Sequence, residues 1–327
     1  MADKDTILKQ LYDSYYTDEA ESQGLGALSS HWRHYSDMFN VRFSADGEVE
    51  ALEGIGFGVY KYNSMVARLL DKICIWSYLP TLPRGVVKQW WSLSKMARLV
   101  CDRMGIDLTY DIFRQVCTLS LIISHMGDAM RARPLRLLMI GDGYGVLSSL
   151  FKQVFPNANI VMVDIGKTLF FQAYYCQKAH PERGHCYIGK TGAKDLEDFV
   201  YCPADHLPFL DHLSFDIAIN VNSMQEMNTD IIAGYFSFLR KNLVADNLFY
   251  CCNRERNDLR GGEVVEFRQY PWSSEDVVLL EEYCPWQRYF LAVNWPQKGI
   301  KLGPIKLPIV NYFTGKALHR LSILETL

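Results

Sequence analysis

The stretch that most constrains this chain is residues 135–145, Leu-Arg-Leu-Leu-Met-Ile-Gly-Asp-Gly-Tyr-Gly. An apolar run suited to a buried parallel strand leads into glycines at 141, 143 and 145. Leu147, Leu150, Phe151 and Val154 then recur at helical spacing. The segment therefore reads as strand, glycine turn, helix. So tight a turn needs dihedrals that side chains resist, and bare backbone lets a ligand approach. The following helix aims its unpaired amides at whatever sits in the turn.

Around this unit the chain changes character at residue 134. Before it, apolar residues at three and four spacing predict helices over 7–16, 27–39, 60–78, 86–104 and 110–126, separated by Gly54, Gly56, Gly58, Pro80, Pro83 and Gly105. The many aromatic residues of this half, Trp32 and Trp90 among them, suit packing between helices, and a minority could wall a pocket. After it, strand and helix alternate, as in a parallel sheet with crossovers. Strands are expected at 159–165, 199–202, 215–221 and 247–253, and helices at 167–178 and 229–242. Residues 184–192 read as a loop or short turn. The closing strands are expected at 289–294 and 310–313, separated by a long loop rich in Pro, Gly and Lys. Two domains follow: 1–133, a helical cap or interaction domain, and 134–327, a nucleotide-binding domain with acceptor-site insertions near its C-terminal end.

Bulk properties narrow the function classes. The 327 residues are 49% hydrophobic and 22% charged, as in an ordinary globular protein. A net charge of −3 and scattered basic residues give no sign of a nucleic-acid or membrane partner. The polar opening residues read as something other than a signal peptide, no apolar run reaches spanning length, and the nine cysteines are odd in number and often sit in apolar runs. A cytoplasmic protein with reduced thiols and no zinc site is expected, with a homo-oligomer through the helical half left open.

The chemistry should gather beyond the carboxyl ends of the strands. Asp164 ends the second strand, 23 residues after Gly141, close to the roughly 20 of dinucleotide sites, where an acid binds ribose hydroxyls. That constellation admits two ligands. A nicotinamide dinucleotide would want a third glycine at 146, where Val146 stands. Gly141-x-Gly143-x-Gly145 better resembles motif I of class I S-adenosylmethionine-dependent methyltransferases. Ala204-Asp205-His206-Leu207-Pro208-Phe209 and Ser214-Phe215-Asp216 resemble their later landmarks. Met139 and Pro203 stand where that family usually carries acids.

A narrower resemblance lies downstream. The run 220–227 (Asn-Val-Asn-Ser-Met-Gln-Glu-Met), 249–254, Gly261-Gly262-Glu263-Val264, Tyr270-Pro271-Trp272, Cys284-Pro285-Trp286 and the helix at 169–175 are similar to the sugar O-methyltransferase family, over roughly 134–290. The resemblance implies an α/β fold, a mostly parallel Rossmann-like sheet of about seven strands, and S-adenosylmethionine as cofactor. It places the cofactor against Gly141, Asp142, Gly143, Tyr144, Gly145, Asp164, Ile165, Ala204, Asp205 and Asn220. The acceptor, a sugar hydroxyl on a small molecule or glycan, would meet Asn222, Asn253, Arg254, Trp272 and Trp286. A hydroxyl must lose its proton to attack. Glu226 is the candidate base, with Gln225 beside it and His34, then His31, as next candidates. Asp205, His206, Asp211 and His212 match no defined metal spacing, and no metal is expected. A nicotinamide-dependent oxidoreductase and a non-catalytic methyltransferase-like scaffold are the alternatives.

Overall fold

The structure is a computed structural model describing residues 4–16, 29–45, 48–54, 61–62, 64–189, 196–287, 289–291, 299–302, 305–308, 310–312 and 316–327. The N-terminal part runs α1 (Lys4–Tyr15), α2 (Ser30–Tyr35), the hairpin β1 (Asn40–Phe43) and β2 (Val49–Glu53), α3 (Met65–Tyr78), α4 (Arg84–Met104), α5 (Tyr110–His125) and the short α6 (Asp128–Arg131). Local chemistry sets several ends. The Ser64 hydroxyl accepts the Ala67 amide at 3.1 Å to start α3, and Gly105 closes α4 at φ 75°.

Then come β3 (Arg136–Ile140), α7 (Val146–Val154), β4 (Asn159–Asp164), α8 (Gly166–Ala179), β5 (His185–Tyr187), β6 (Phe199–Pro203), β7 (Phe215–Val221), α9 (Thr229–Asn242) and β8 (Leu243–Arg254). The last part adds β9 (Arg256–Asp258), β10 (Val264–Glu266), β11 (Val277–Tyr283), β12 (Tyr289–Leu291), β13 (Gly299–Leu302), β14 (Ile305–Pro308), β15 (Val310–Tyr312) and β16 (Ala317–Ile323).

The main sheet has eight strands in the order β11-β16-β8-β7-β3-β4-β6-β5. From β8 to β5 neighbours are parallel, and β16 is antiparallel to both β8 and β11. Side chains alternate across it, which is why its central strands are apolar throughout. Leu137, Met139, Ile160, Met162 and Ile219 face a core shared with α4, α5, α7 and α8, so the N-terminal helices pack on the same layer as the first crossover helices. Leu138, Ile140, Val161, Val163 and Ala218 face the other side, beneath α9. From β3 the chain passes to β4 on one side, and β7 returns on the other. That reversal opens a crevice at the carboxyl ends of β3 and β7.

Several expectations need correction. A β1–β2 hairpin interrupts the helical half, and 27–39 is shortened to α2 plus a 3-10 turn, Ser36–Met38, within the described residues. Residues 184–192 contain β5, too short and too polar for periodicity to reveal. The expected closing strands pair with each other as β12–β15, apart from the main sheet, and the supposed long loop holds the β13–β14 hairpin. The sheet is closed by β11 and β16 instead. β11 is exposed along most of its length, Val-Val-Leu-Leu-Glu-Glu-Tyr, and lacks the apolar alternation that marks a buried strand.

Candidate active site

All three turn glycines are left-handed, with φ of 71° at Gly141, 55° at Gly143 and 76° at Gly145. A Cβ on Gly141 would lie 2.0 Å from Ser223 Oγ, so the turn sits directly against the loop leaving β7. Tyr144 turns away into the core, stacked on Phe171 and Tyr175 at centroid distances of 5.1 and 5.3 Å. The Asp142 carboxylate accepts the amides of Leu147 (3.3 Å) and Ser148 (2.7 Å) and so caps α7. Burial nevertheless pushes its pKa up to about 6.

At the end of β4, Asp164 accepts the Ile165 amide at 2.8 Å on one oxygen and Gln172 Nε2 at 2.6 Å on the other. Burial dominates over these bonds, and with the nearby Asp142 charge raises the carboxyl to about 7. Ile165 is half-buried, Ala204 buried and Asp205 exposed, the last two on the turn that follows β6. Tyr15 closes this corner from α1. A Cβ at Gly166 would lie 2.1 Å from its ring, and its hydroxyl meets that of Tyr187 at 3.3 Å.

The ends of β7 and β8 are tied by amide side chains. Asn220, fully buried, donates to Ile140 O at 2.9 Å, and its Oδ1 accepts Asn253 Nδ2 at 2.8 Å and the Met224 amide at 3.3 Å. Asn253 Oδ1 accepts the Gln225 amide at 3.1 Å, and Gln225 Oε1 accepts the Arg254 amide at 2.7 Å. The Arg254 guanidinium donates to Asn257 Oδ1 at 3.0 Å. Asn222 takes a left-handed φ of 57° and donates to Gln287 Oε1 at 3.3 Å. Gln287 Oε1 also accepts Arg114 Nη1 at 2.6 Å, and Arg114 pairs with Asp111.

Glu226 ends the 3-10 turn Met224–Glu226 rather than starting α9. Burial lifts its carboxyl to about 7; the Arg254 charge and a Gln225 hydrogen bond pull the other way, and Asp164 adds to the rise. That mutual influence places Asp142, Asp164, Glu226 and Arg254 in one electrostatic neighbourhood.

Gly141, Gly143, Asp164, Asn222, Glu226 and Arg254 thus all stand at or just beyond the carboxyl ends of β3, β4, β7 and β8. Other candidates lie elsewhere. Trp286 is fully buried and donates to Thr118 Oγ1 at 3.1 Å, so it has no face to offer a sugar. Trp272 is packed against Phe236, donates to Phe267 O at 3.0 Å, and is covered by Arg320 at 4.2 Å. Asn253 and Gln225 are buried behind the crevice and bond within the frame. His31 and His34 fall on α2, but their side chains lie outside the described residues. His206 Nδ1 meets Ile188 O at 2.9 Å, and Asp211 pairs with Lys241 at 2.7 Å. Among the described residues no group of three or more His, Cys, Asp or Glu is placed to hold a metal.

Sequence reasoning missed Arg114, Gln172 and Gln287. Gln172 lies two turns into α8 after Asp164, a spacing that could have flagged it. Nothing in sequence connects Arg114 to Gln287 across 173 residues.

No protein-family model matches the chain, and no curated protein matches it. Solved structures do. TrmN from Thermus thermophilus aligns at 11% identity over 64% of this chain and 48% of its own, with a TM-score of 0.38. A TehB-like SAM-dependent methyltransferase from Corynebacterium glutamicum aligns at 14% identity over 60% and 84%, with a TM-score of 0.35. Coclaurine N-methyltransferase bound to N-methylheliamine and SAH aligns at 10% identity over 65% and 71%, with a TM-score of 0.39. Scores this low carry no weight beside the strand order. A parallel run centred on β3, with the antiparallel β16 slotted between β8 and β11, is the mixed sheet of the Rossmann-like class I methyltransferase fold.

Proposed function

We propose that this protein is an S-adenosylmethionine-dependent O-methyltransferase acting on a hydroxyl of a sugar or glycosylated small molecule. Residues 134–327 would hold the cofactor and 1–133 would cap the site. The observation that carries the choice of cofactor is the Asp142 carboxylate on the first amides of α7. A dinucleotide needs those amides for its pyrophosphate. Here an anion already caps them, and a second would be repelled. S-adenosylmethionine brings no phosphate and leaves the cap in place.

The residues present suit that cofactor. The left-handed glycines leave open backbone, and Asp164 keeps acceptor capacity for ribose hydroxyls beside Ile165. Gly141, Gly143 and Asp164 would hold it, with Ala204 and Asp205 at the adenine end and Asn220 fixing the strand between. When bound it supplies an electrophilic methyl group for in-line attack. This chain's own contribution is orientation and proton removal. Glu226, with a carboxyl near 7, is matched to taking a hydroxyl proton at neutral pH, and the neighbouring Arg254 stabilises its charged form. Asn222 and Arg254 would orient the acceptor, and the specific resemblance around 220–227 supports a sugar.

The test is transfer of label from methyl-labelled S-adenosylmethionine to a panel of sugars, nucleotide sugars and glycosides. Label recovered on a sugar oxygen is expected. Label confined to nitrogen acceptors would overturn the O-methylation reading.

A further inference from the structure

Among the described residues the outward arc of α3 is apolar and exposed. Met65, Val66, Leu69, Ile73 and Trp76 are 88%, 66%, 57%, 51% and 60% exposed. At helical spacing they fall within about 100° of the circumference, opposite the stripe of Ala67, Asp71 and Ile75 that is buried. Arg68 and Lys72 flank the arc on one side and face Arg98 of α4 across a cleft of 140 Å³, which also takes Asp102 and Asp107. Arg68 already pairs with Asp107 at 2.7 Å. The surrounding sequence is strongly biased: residues 61–104 hold eight Lys and Arg against two Asp, a net +6, leaving −9 for the rest of a chain whose total is −3. One of those two acids, Asp71, is fully buried.

We infer that the α3–α4 face docks on an anionic lipid bilayer surface, the arc of Met65, Leu69, Ile73 and Trp76 entering the interface while the basic residues meet the headgroups. Projecting apolar side chains beside Lys and Arg are what an interfacial helix presents, with tryptophan favoured at the headgroup level. A local excess of basic residues is attracted to anionic leaflets. A second copy would bring one basic face against another, which disfavours self-association through it. An acidic protein segment is the remaining occupant, yet the arc projects as ridges and needs no groove to enter a bilayer. No described helix is long and apolar enough to cross a membrane, so the contact is peripheral. This inference is independent of the proposed methyl transfer.

Cosedimentation of the full chain with vesicles tests it. Phosphatidylcholine mixed with an equal part of phosphatidylserine should pull the protein down at low salt, with a blue shift in tryptophan emission. Phosphatidylcholine alone should not. Lys72→Glu, and separately Leu69→Ser with Ile73→Ser, should each weaken binding about tenfold or more. All three positions are exposed, so folding should be kept, which circular dichroism checks. Absence of binding to the mixed vesicles, or binding that both variants retain, overturns the inference. So does a stable dimer in sedimentation velocity that Leu69→Ser with Ile73→Ser dissociates, because the face would then belong to a second copy. Retention on an acidic peptide column by a protein that ignores vesicles overturns it likewise.

Discussion

Asn253 Nδ2 donates to Asn220 Oδ1 at 2.8 Å, joining the carboxyl ends of β8 and β7 through two fully buried side chains. The same Asn220 oxygen holds the Met224 amide, and Asn253 Oδ1 holds that of Gln225. Two amides therefore fix the turn that carries Glu226. A substitution here should act on stability and position together.

Asn253→Ala removes the buried bonds to Asn220 Oδ1, Cys251 Sγ and the Gln225 amide and leaves that amide without its acceptor, at a cost of about 2–4 kcal/mol. The denaturant midpoint should fall without a change in slope. Gln225→Ala, which loses its bond to the Arg254 amide (2.7 Å), should cost about half as much.

Gly141→Ala meets Ser223 Oγ at 2.0 Å and must also take a φ of 71°. Stability should drop by about 1–3 kcal/mol and cofactor binding should be lost. Adding Ser223→Gly relieves the overlap but not the backbone strain, so calorimetry should show partial recovery only. Full recovery would mean that the left-handed turn is not required.

The fold was legible where periodicity and burial coincide. Residues 215–221 and 229–242 match β7 and α9 at both ends, because each has an apolar face and clear turn signals. The glycine turn and Asp164 were legible for a chemical reason, since left-handed backbone and a strand-end acid leave marks in sequence. What escaped depends on distant partners. Trp272 and Trp286 fit either a stacking face or packing in sequence, and only their distant neighbours decide it: Trp286 is buried against Thr118, and Trp272 packs at the edge of the core against Phe236. Arg320 and His319 make β16 polar in sequence although the strand is buried; the Arg320 charge is answered by Glu281 and Asp276, and burial keeps His319 neutral beside the Tyr250 hydroxyl. Whole-chain charge likewise averaged away the basic α3–α4 segment.

The crevice should shape stability against pH. The carboxyls of Asp142, Asp164 and Glu226 are raised in the folded state to about 6, 7 and 7. The native state then holds protons that the unfolded chain releases near pH 4. Their contribution is fully present below that pH and is lost as pH rises through 6 to 7. Asp164→Asn should leave stability little changed near pH 4 and raise it relative to wild type as pH rises through 7. Melting curves across pH read the difference; a gap that does not vary with pH contradicts it.

Turnover should carry an acidic limb near pH 7, where Glu226 loses its proton. Glu226→Gln should lower kcat by about 100-fold or more, abolish the limb and leave cofactor affinity nearly unchanged. An intact limb in that variant would move the base elsewhere, with His34 and then His31 next in order.

The most direct measurement is calorimetric titration of the protein with S-adenosylhomocysteine and, separately, with a nicotinamide dinucleotide, repeated on Asp164→Ala. Saturable binding of the first, none of the second, and a loss of about tenfold or more in the variant are predicted. Binding of the dinucleotide without the homocysteine ligand, or no heat from either, would contradict the account.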